Sequence, residues 1–497
     1  MNHIELFAGC GGMSLGFKSC GFELLMANEV SPMAAETFSY NIMGKDIREN
    51  KDTLWLESNY SREDIELRLR ENLLFTEEFA YHDIPETGDL SGKLIIGSVT
   101  RLLEKIPDLR TRLGVNEIDV ISGGPPCQGF SMAGLRKIED RKNQLPFVFG
   151  DFVSKMQPKV VVLENVTGIL RPFKDSDGVK YYAWEEIAKY FFSLDYYPIC
   201  LHVNPVMISL PQTRFRFIMI AVRQDYMPIK LKKDLEVCLQ LSLPGESFKP
   251  QLIDLTTEEK ICNLDHRTRD ALALFIKEEE NLGIVTAKQA IHDISTDIEP
   301  SSYVDFINQI FKSTNPNNNN NLIFNLESPK YSEKVVKRFK LQQKLNSLDS
   351  KGKKMIRDYL KSKLTKNDLR SLYSRHLILK DISDSFDGFI DYLNEVKTKK
   401  HSQRALYADK PSPTITAVAD DFVHYEAPRC LNVREMARIQ SFPDWFVLRS
   451  KITTGGLKRR YEIPQQTQVG NAVPPLLGRR VSMFIKHKIL RKINLPL

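Results

Sequence analysis

Along the first 225 residues, short apolar runs alternate with amphipathic stretches. The runs at residues 3–7, 23–28, 93–96, 119–122, 159–163, 199–203 and 216–222 have the length and β-rich composition of strands. Strands that alternate with helical stretches predict an α/β fold, a mostly parallel sheet with helices on both faces. Residues 45–92 are polar and read as an insertion. From about 226 to 430 the rhythm is lost, and the run Asn315-Pro316-Asn317-Asn318-Asn319-Asn320-Asn321 reads as a mobile loop. At 431–440 a capped helix returns, with Asn432 as its cap, Glu435 three residues on, and Ser441-Phe442-Pro443 as its stop. The pattern divides the chain at 1–225, 226–430 and 431–497, with the last segment returning to the first domain.

Composition narrows the class. The chain has 497 residues, 42% hydrophobic and 27% charged, which suits two or three globular domains. No apolar run approaches the roughly 18 residues that span a bilayer, so no membrane association is expected. Met1–Glu5 lacks the basic start and cleavage site of a secretory leader. Seven cysteines without CxxC spacing, and nine histidines without HxH or HxxxH pairs, argue against a disulfide framework or a metal site. These features predict a protein of the reducing cytoplasm. The net charge of +7 is concentrated: residues 330–366 hold thirteen Lys or Arg against three Asp or Glu. Such a run beside an active site suits a polyanion.

Four clusters carry chemistry. The run Asp119-Val120-Ile121-Ser122-Gly123-Gly124-Pro125-Pro126-Cys127-Gln128 is a strand that ends in a rigid loop displaying one thiol, as a nucleophile requires. Leu6-Phe7-Ala8-Gly9-Cys10-Gly11-Gly12 lies between the first strand and a helix starting near Met13, where glycines admit a ligand close to the backbone. Glu29 after the second strand can accept hydrogen bonds from a ribose. A glycine loop plus an acid implies an adenosine-containing cofactor. The absence of a phosphate-binding Gly-Lys-Ser/Thr favours S-adenosylmethionine. Glu164-Asn165-Val166 follows a buried strand, at the edge where α/β sheets bind ligands. In extended chain Arg214 and Arg216 face one side and can converge on an anion.

These clusters, together with Gly470-Asn471-Ala472-Val473 and taken in this order, resemble the DNA (cytosine-5) methyltransferases of prokaryotic restriction-modification systems. The likeness covers residues 4–223 and about 411–488. It implies a Rossmann-like S-adenosylmethionine-dependent methyltransferase fold with a smaller target-recognition domain at 226–430. It also implies a flipped-out cytosine in double-stranded DNA as substrate, action as a monomer and a cognate restriction endonuclease. By the same resemblance Cys127 is the nucleophile, Glu164 bonds ring nitrogen 3 and the exocyclic amine, Arg216 holds the carbonyl oxygen, and Arg214 assists. Phe7, Gly9, Gly11, Gly12, Glu29, Ser98, Val99, Pro125, Leu145, Asn471 and Ala472 are implied at the cofactor. Gln128 and Ser131 are implied at the DNA, with Lys334, Lys337, Arg338 and Lys340 as candidates for phosphate contacts. Two departures stand out. The family's Gly-Asp-Ile/Val run is Gly97-Ser98-Val99 here, with Asp83-Ile84 as an alternative, and its Arg-Asn-x-Leu run is Lys142-Asn143-Gln144-Leu145. A small branch of the family acts on tRNA with the same site but has a compact target region.

Overall fold

The computed structural model describes residues 1–47, 50–56, 84–126, 144–174, 180–236, 248–277, 282–296, 298–319, 322–418, 421–454 and 462–492. Nine strands form one sheet. They are β1 (Asn2–Leu6), β2 (Glu23–Glu29), β3 (Thr53–Trp55), β4 (Lys93–Ile96), β5 (Val120–Gly123), β6 (Val160–Val166), β7 (Tyr196–Val203), β8 (Arg216–Arg223) and β9 (Leu252–Leu255). Their spatial order is β9-β7-β8-β6-β5-β1-β2-β4-β3. Pairing is parallel throughout, except that β8 runs antiparallel to both β6 and β7. Each strand expected from the pattern is present, shifted by at most a few residues. The pattern missed β3, inside the polar insertion, and β9.

Continuous apolar runs mark strands covered on both faces. In β6, Val160 and Val162 belong to one core cluster, Val161 and Leu163 to the other. The first face is covered by α1 (Gly12–Lys18) and by elements from the far end of the chain; α2 (Pro32–Phe38) follows β2. The second face is covered by α3 (Val99–Lys105), α4 (Leu145–Met156) and α5 (Ala183–Ser193), through residues such as Leu102, Phe152 and Phe191.

The loss of rhythm after residue 226 does not mark departure from this core. Ile253, Leu255, Phe275 and Ile291 belong to the first cluster, as do Val304, Ile307 and Phe311 of α6 (Ser302–Phe311). Helices of five or six residues here are too short to show a period. The described part of the Asn-rich run is likewise held. Asn317 Nδ2 donates to Tyr40 O at 2.9 Å, and a Cβ on Gly44 would meet Pro316 at 2.8 Å. The expectation of a mobile loop fails for residues 315–319; Asn320 and Asn321 lie outside the described residues.

A separate apolar core, including Leu341, Ile356, Leu369 and Phe389, is built by α7 (Glu333–Leu345), α8 (Ser350–Leu360), α9 (Lys366–Arg375) and α10 (Phe386–Val396). The segment with its own core is thus narrower than 226–430. The chain then returns through α11 (Val433–Ile439), α12 (Gln465–Asn471) and α13 (Pro475–Phe484). The cap of α11 is as expected: Glu435 N donates to Asn432 Oδ1 at 2.8 Å, and Asn432 N donates to Glu435 Oε2 at 2.9 Å. Among the described residues no helix is long and apolar enough to cross a membrane.

Candidate active site

The parallel strands β1, β2, β4, β5 and β6 all point their carboxyl ends to one edge of the sheet. Beyond β1, Phe7 and Gly9 both take φ 54° and Gly11 takes φ 94°, so the loop turns through left-handed backbone. Gly9 N donates to Glu29 Oε2 at 2.7 Å, and Ser31 N donates to Oε1 at 2.8 Å. Burial raises the Glu29 carboxyl above its ordinary value, while these amides pull it back. Each carboxylate oxygen keeps acceptor capacity, and a Cβ on Gly9 would meet nothing within 4 Å. An open space beside the glycine loop and a buried acceptor fit the adenosyl part of S-adenosylmethionine. Ser98 adjoins this acid, since Glu29 pairs with Ile96 and Gly97 N donates to Glu29 O at 2.9 Å. Ser98 is half-buried, and its hydroxyl makes no cap bond at the start of α3; Val99 is buried. Leu145 opens α4 half-buried. Asp83 lies outside the described residues.

The second half of the site sits at the ends of β5, β6 and β8. Pro125 is buried, and Asn165 Nδ2 donates to Pro125 O at 2.9 Å, fixing the base of the thiol loop to β6. Cys127, Gln128 and Ser131, like Lys142 and Asn143, lie outside the described residues. Gly124, three residues before the thiol, is where a Cβ would meet Glu164 Oε2 at 3.5 Å. In the antiparallel register Arg216 pairs with Val166 and Ile218 with Glu164, which puts Arg216 diagonally beside Glu164. Arg216 Nε is 3.3 Å from Glu164 Oε1. Both atoms are buried without a hydrogen-bond partner among the described residues. Burial raises the Glu164 carboxyl, and the positive charges of Arg216 and Arg214 oppose that rise. Burial lowers both arginines, yet a guanidinium remains charged.

The C-terminal segment joins the two halves. Arg214 Nη1 donates to Gly470 O at 2.7 Å, and Arg216 Nη2 donates to Ala472 O at 3.3 Å. One residue on, a Cβ on Gly12 would stand 2.1 Å from Val473 O, so only glycine fits there. Asn471 is exposed at the end of α12 and Ala472 is buried.

The four basic candidates on α7 do not behave alike. Lys334 and Lys340 are exposed. Lys337 Nζ donates to Glu395 Oε1 at 3.0 Å and lies 3.5 Å from Glu333. Arg338 Nε donates to Val396 O at 3.0 Å. Lys337 is therefore engaged by α10 and is not a free phosphate contact, because spacing on one helix cannot reveal acids on another.

Sequence reasoning missed Glu5, a buried acid on β1 beneath the glycine loop whose oxygen accepts from Ser14 Oγ of α1. The signal was present: a charged residue inside the otherwise apolar Ile4-Glu5-Leu6.

The model of the C-5 cytosine-specific DNA methylase family matches residues 1–67 and 91–487. The chain is 26% identical to type II methyltransferase M.DdeI of Desulfomicrobium norvegicum, covering 98% of this chain and 90% of the relative. It is 26% identical to type II methyltransferase M1.HphI of Haemophilus parahaemolyticus, covering 97% and 86%. A crystal structure assigned to a DNA modification methyltransferase encoded within a prophage (E. coli) superposes with a TM-score of 0.50 at 19% identity, covering 98% of both chains, and shares the fold.

Proposed function

Because the chain belongs to the C-5 cytosine-specific DNA methylase family, we propose that Cys127, Glu164, Arg216 and Arg214 carry out its chemistry. That chemistry is methyl transfer from S-adenosylmethionine to carbon 5 of cytosine in DNA. The observation that carries this assignment is the buried pair of Glu164 Oε1 and Arg216 Nε, 3.3 Å apart and without hydrogen-bond partners among the described residues, beside Gly124, three positions before Cys127 in the sequence. An unsatisfied buried polar atom costs roughly 1–3 kcal/mol. A cytosine offers both a donor and acceptors that relieve this cost.

The Cys127 thiolate adds to carbon 6 of the ring, forming a carbon–sulfur bond and pushing the ring electrons toward carbon 5 and nitrogen 3. Glu164 hydrogen-bonds nitrogen 3 and the exocyclic amine, stabilising the adduct. Arg216 donates to the ring carbonyl, and Arg214 stiffens it through Gly470. S-adenosylmethionine, when bound between Phe7, Gly9, Gly11, Gly12, Glu29, Ser98, Val99, Pro125, Leu145 and the Asn471-Ala472 segment, supplies the electrophilic methyl group. Loss of the carbon-5 proton then expels Cys127 and restores the aromatic ring. A duplex hides these atoms, so the target base is flipped out of the stack.

Residues 1–225 and 431–497, with the stretches between them that join the same core, such as Ile253, Phe275 and α6, form the catalytic domain. The 226–430 region holds target recognition, centred on the lobe with its own core. The type II names of the relatives support a role beside a cognate restriction endonuclease. We place the enzyme in the cytoplasm as a monomer. Incubation with labelled S-adenosylmethionine and either duplex DNA or tRNA tests the whole reading. Label enters carbon 5 of cytosine in duplex DNA; label in tRNA alone overturns the substrate assignment.

A further inference from the structure

The helical lobe carries a cleft between α7, the end of α8 and the chain following α10. Arg338, Gln342, Arg357, Lys361 and Lys400 line it, and no Asp or Glu does. Arg338 spends its Nε on Val396 O, which fixes the guanidinium at the wall. Arg357 and Lys361 have no acidic partner among the described residues. The like charges of Arg338, Arg357 and Lys361 repel one another across the cleft, so an anion that enters stabilises the lobe.

A second observation is independent of charge. Gln342 is 8% exposed, and its Oε1 is buried with no hydrogen-bond partner among the described residues. The terminal torsion of a glutamine is soft, and rotation by half a turn presents the NH2 to the cleft instead. The cleft therefore combines forked donors, an ammonium and a neutral amide donor in one recess. That set matches a tetrahedral anion with several acceptor oxygens.

We propose that this cleft seats one phosphodiester of the substrate DNA backbone, gripped by Arg338, Arg357 and Lys361 with the Gln342 amide as an added donor. The proposal rests on the reading of DNA as substrate. Arg357 and Lys361 are themselves exposed; what sets them apart from Lys334 and Lys340 is that they share one cleft with Arg338 and Gln342. A phosphate held at a fixed point sets the register of the lobe on the duplex without reading any base.

The test compares full-length Arg357→Ala/Lys361→Ala and Gln342→Glu with the surface control Lys334→Ala/Lys340→Ala. Duplex binding is read by fluorescence anisotropy from about 50 to 200 mM salt. The Arg357/Lys361 variant loses affinity for all duplex sequences alike, and its slope of log K against log salt falls by about two. Gln342→Glu, which places a carboxylate against the phosphate, weakens binding about tenfold or more. The surface control changes the slope by less than one, and cofactor affinity is unchanged in all three. A folded Arg357/Lys361 variant with the parent's affinity and slope overturns the cleft. Should that variant fail to bind cofactor, Lys361→Gln alone serves, with a slope change of about one expected and none refuting. Millimolar inorganic phosphate that binds the cleft while leaving duplex affinity unchanged assigns the site to a small anion and refutes DNA. Binding is read without turnover, so a parent that binds duplex but transfers no methyl fails the enzymatic reading and leaves this test decisive.

Discussion

Glu164 Oε1 stands 3.3 Å from Arg216 Nε, and neither atom has a hydrogen-bond partner among the described residues. The pair arises from strand direction. Only because β8 runs antiparallel to β6 does the first residue of one strand meet the last turn-facing acid of the other. A buried ion pair left without further bonds destabilises the free protein, and a ligand that completes it recovers that cost.

Glu164→Gln keeps the shape of the side chain but cannot hold or release the proton. Methyl incorporation at saturating DNA and cofactor should fall by about 10²-fold or more. Calorimetry should show cofactor affinity little changed. Turnover within tenfold of the parent would remove Glu164 from the chemistry.

Cys127→Ser should abolish methyl transfer while DNA and cofactor still bind. A hydroxyl is far less ionised than a thiol near neutral pH and is a poor nucleophile toward carbon 6. Measurable turnover within tenfold of the parent contradicts the nucleophile assignment.

Gly12→Ala tests the contact between the two distant pieces of the site. A Cβ there meets Val473 O at 2.1 Å, so the C-terminal segment must shift. The expected cost is about 1–3 kcal/mol of stability, together with a loss of cofactor affinity. Unchanged melting temperature and unchanged affinity would show that the segment does not close on the loop in solution.

Stability should depend on pH through Glu5. Burial pushes its carboxyl from 4.5 up to about 8, and the bond from Ser14 opposes this. The folded state therefore keeps a proton that the unfolded chain releases. The stabilisation is complete below about 4.5 and is lost as pH rises to about 8. Glu5→Gln, which cannot ionise, should flatten the denaturation midpoint across that window. A variant whose midpoint follows the parent's pH dependence would assign the effect elsewhere.

Ser98→Asp should bind S-adenosylmethionine as well as the parent or better. Ser98 caps nothing at the start of α3, and an aspartate there supplies an acceptor beside Glu29 and a negative charge at a helix N-terminus. An affinity loss of more than tenfold by calorimetry would place the adenine elsewhere.

The sheet was legible because its strands are buried on both faces and read as unbroken apolar runs, as Val160-Val161-Val162-Leu163 does. β3 was not, because a three-residue edge strand in a polar insertion carries almost no periodic signal. The direction of β8 was not legible either, since apolar content does not encode polarity. The carboxylate and the two arginines were visible as residue types at a strand end. Strand alternation put the two arginines on one face, but their anchoring beside Glu164 was not legible, because it depends on register and on carbonyls at Gly470 and Ala472. For the same reason Lys337 looked available on its helix, while its partner Glu395 lies far along the chain.

The packing of Gly12 on Val473, and of Gly16 against Gly478 and Arg479, has a consequence for synthesis. The wall of the cofactor loop is made roughly 460 residues after the loop itself, which at about 5–20 residues per second is tens of seconds of translation. Until then α1 packs on β1 and β2 but lacks α13, which covers its other side. A chain released early lacks that wall as well as the arginines' anchors. A prematurely terminated product is therefore an inert protein, and not a methylase that has lost its aim.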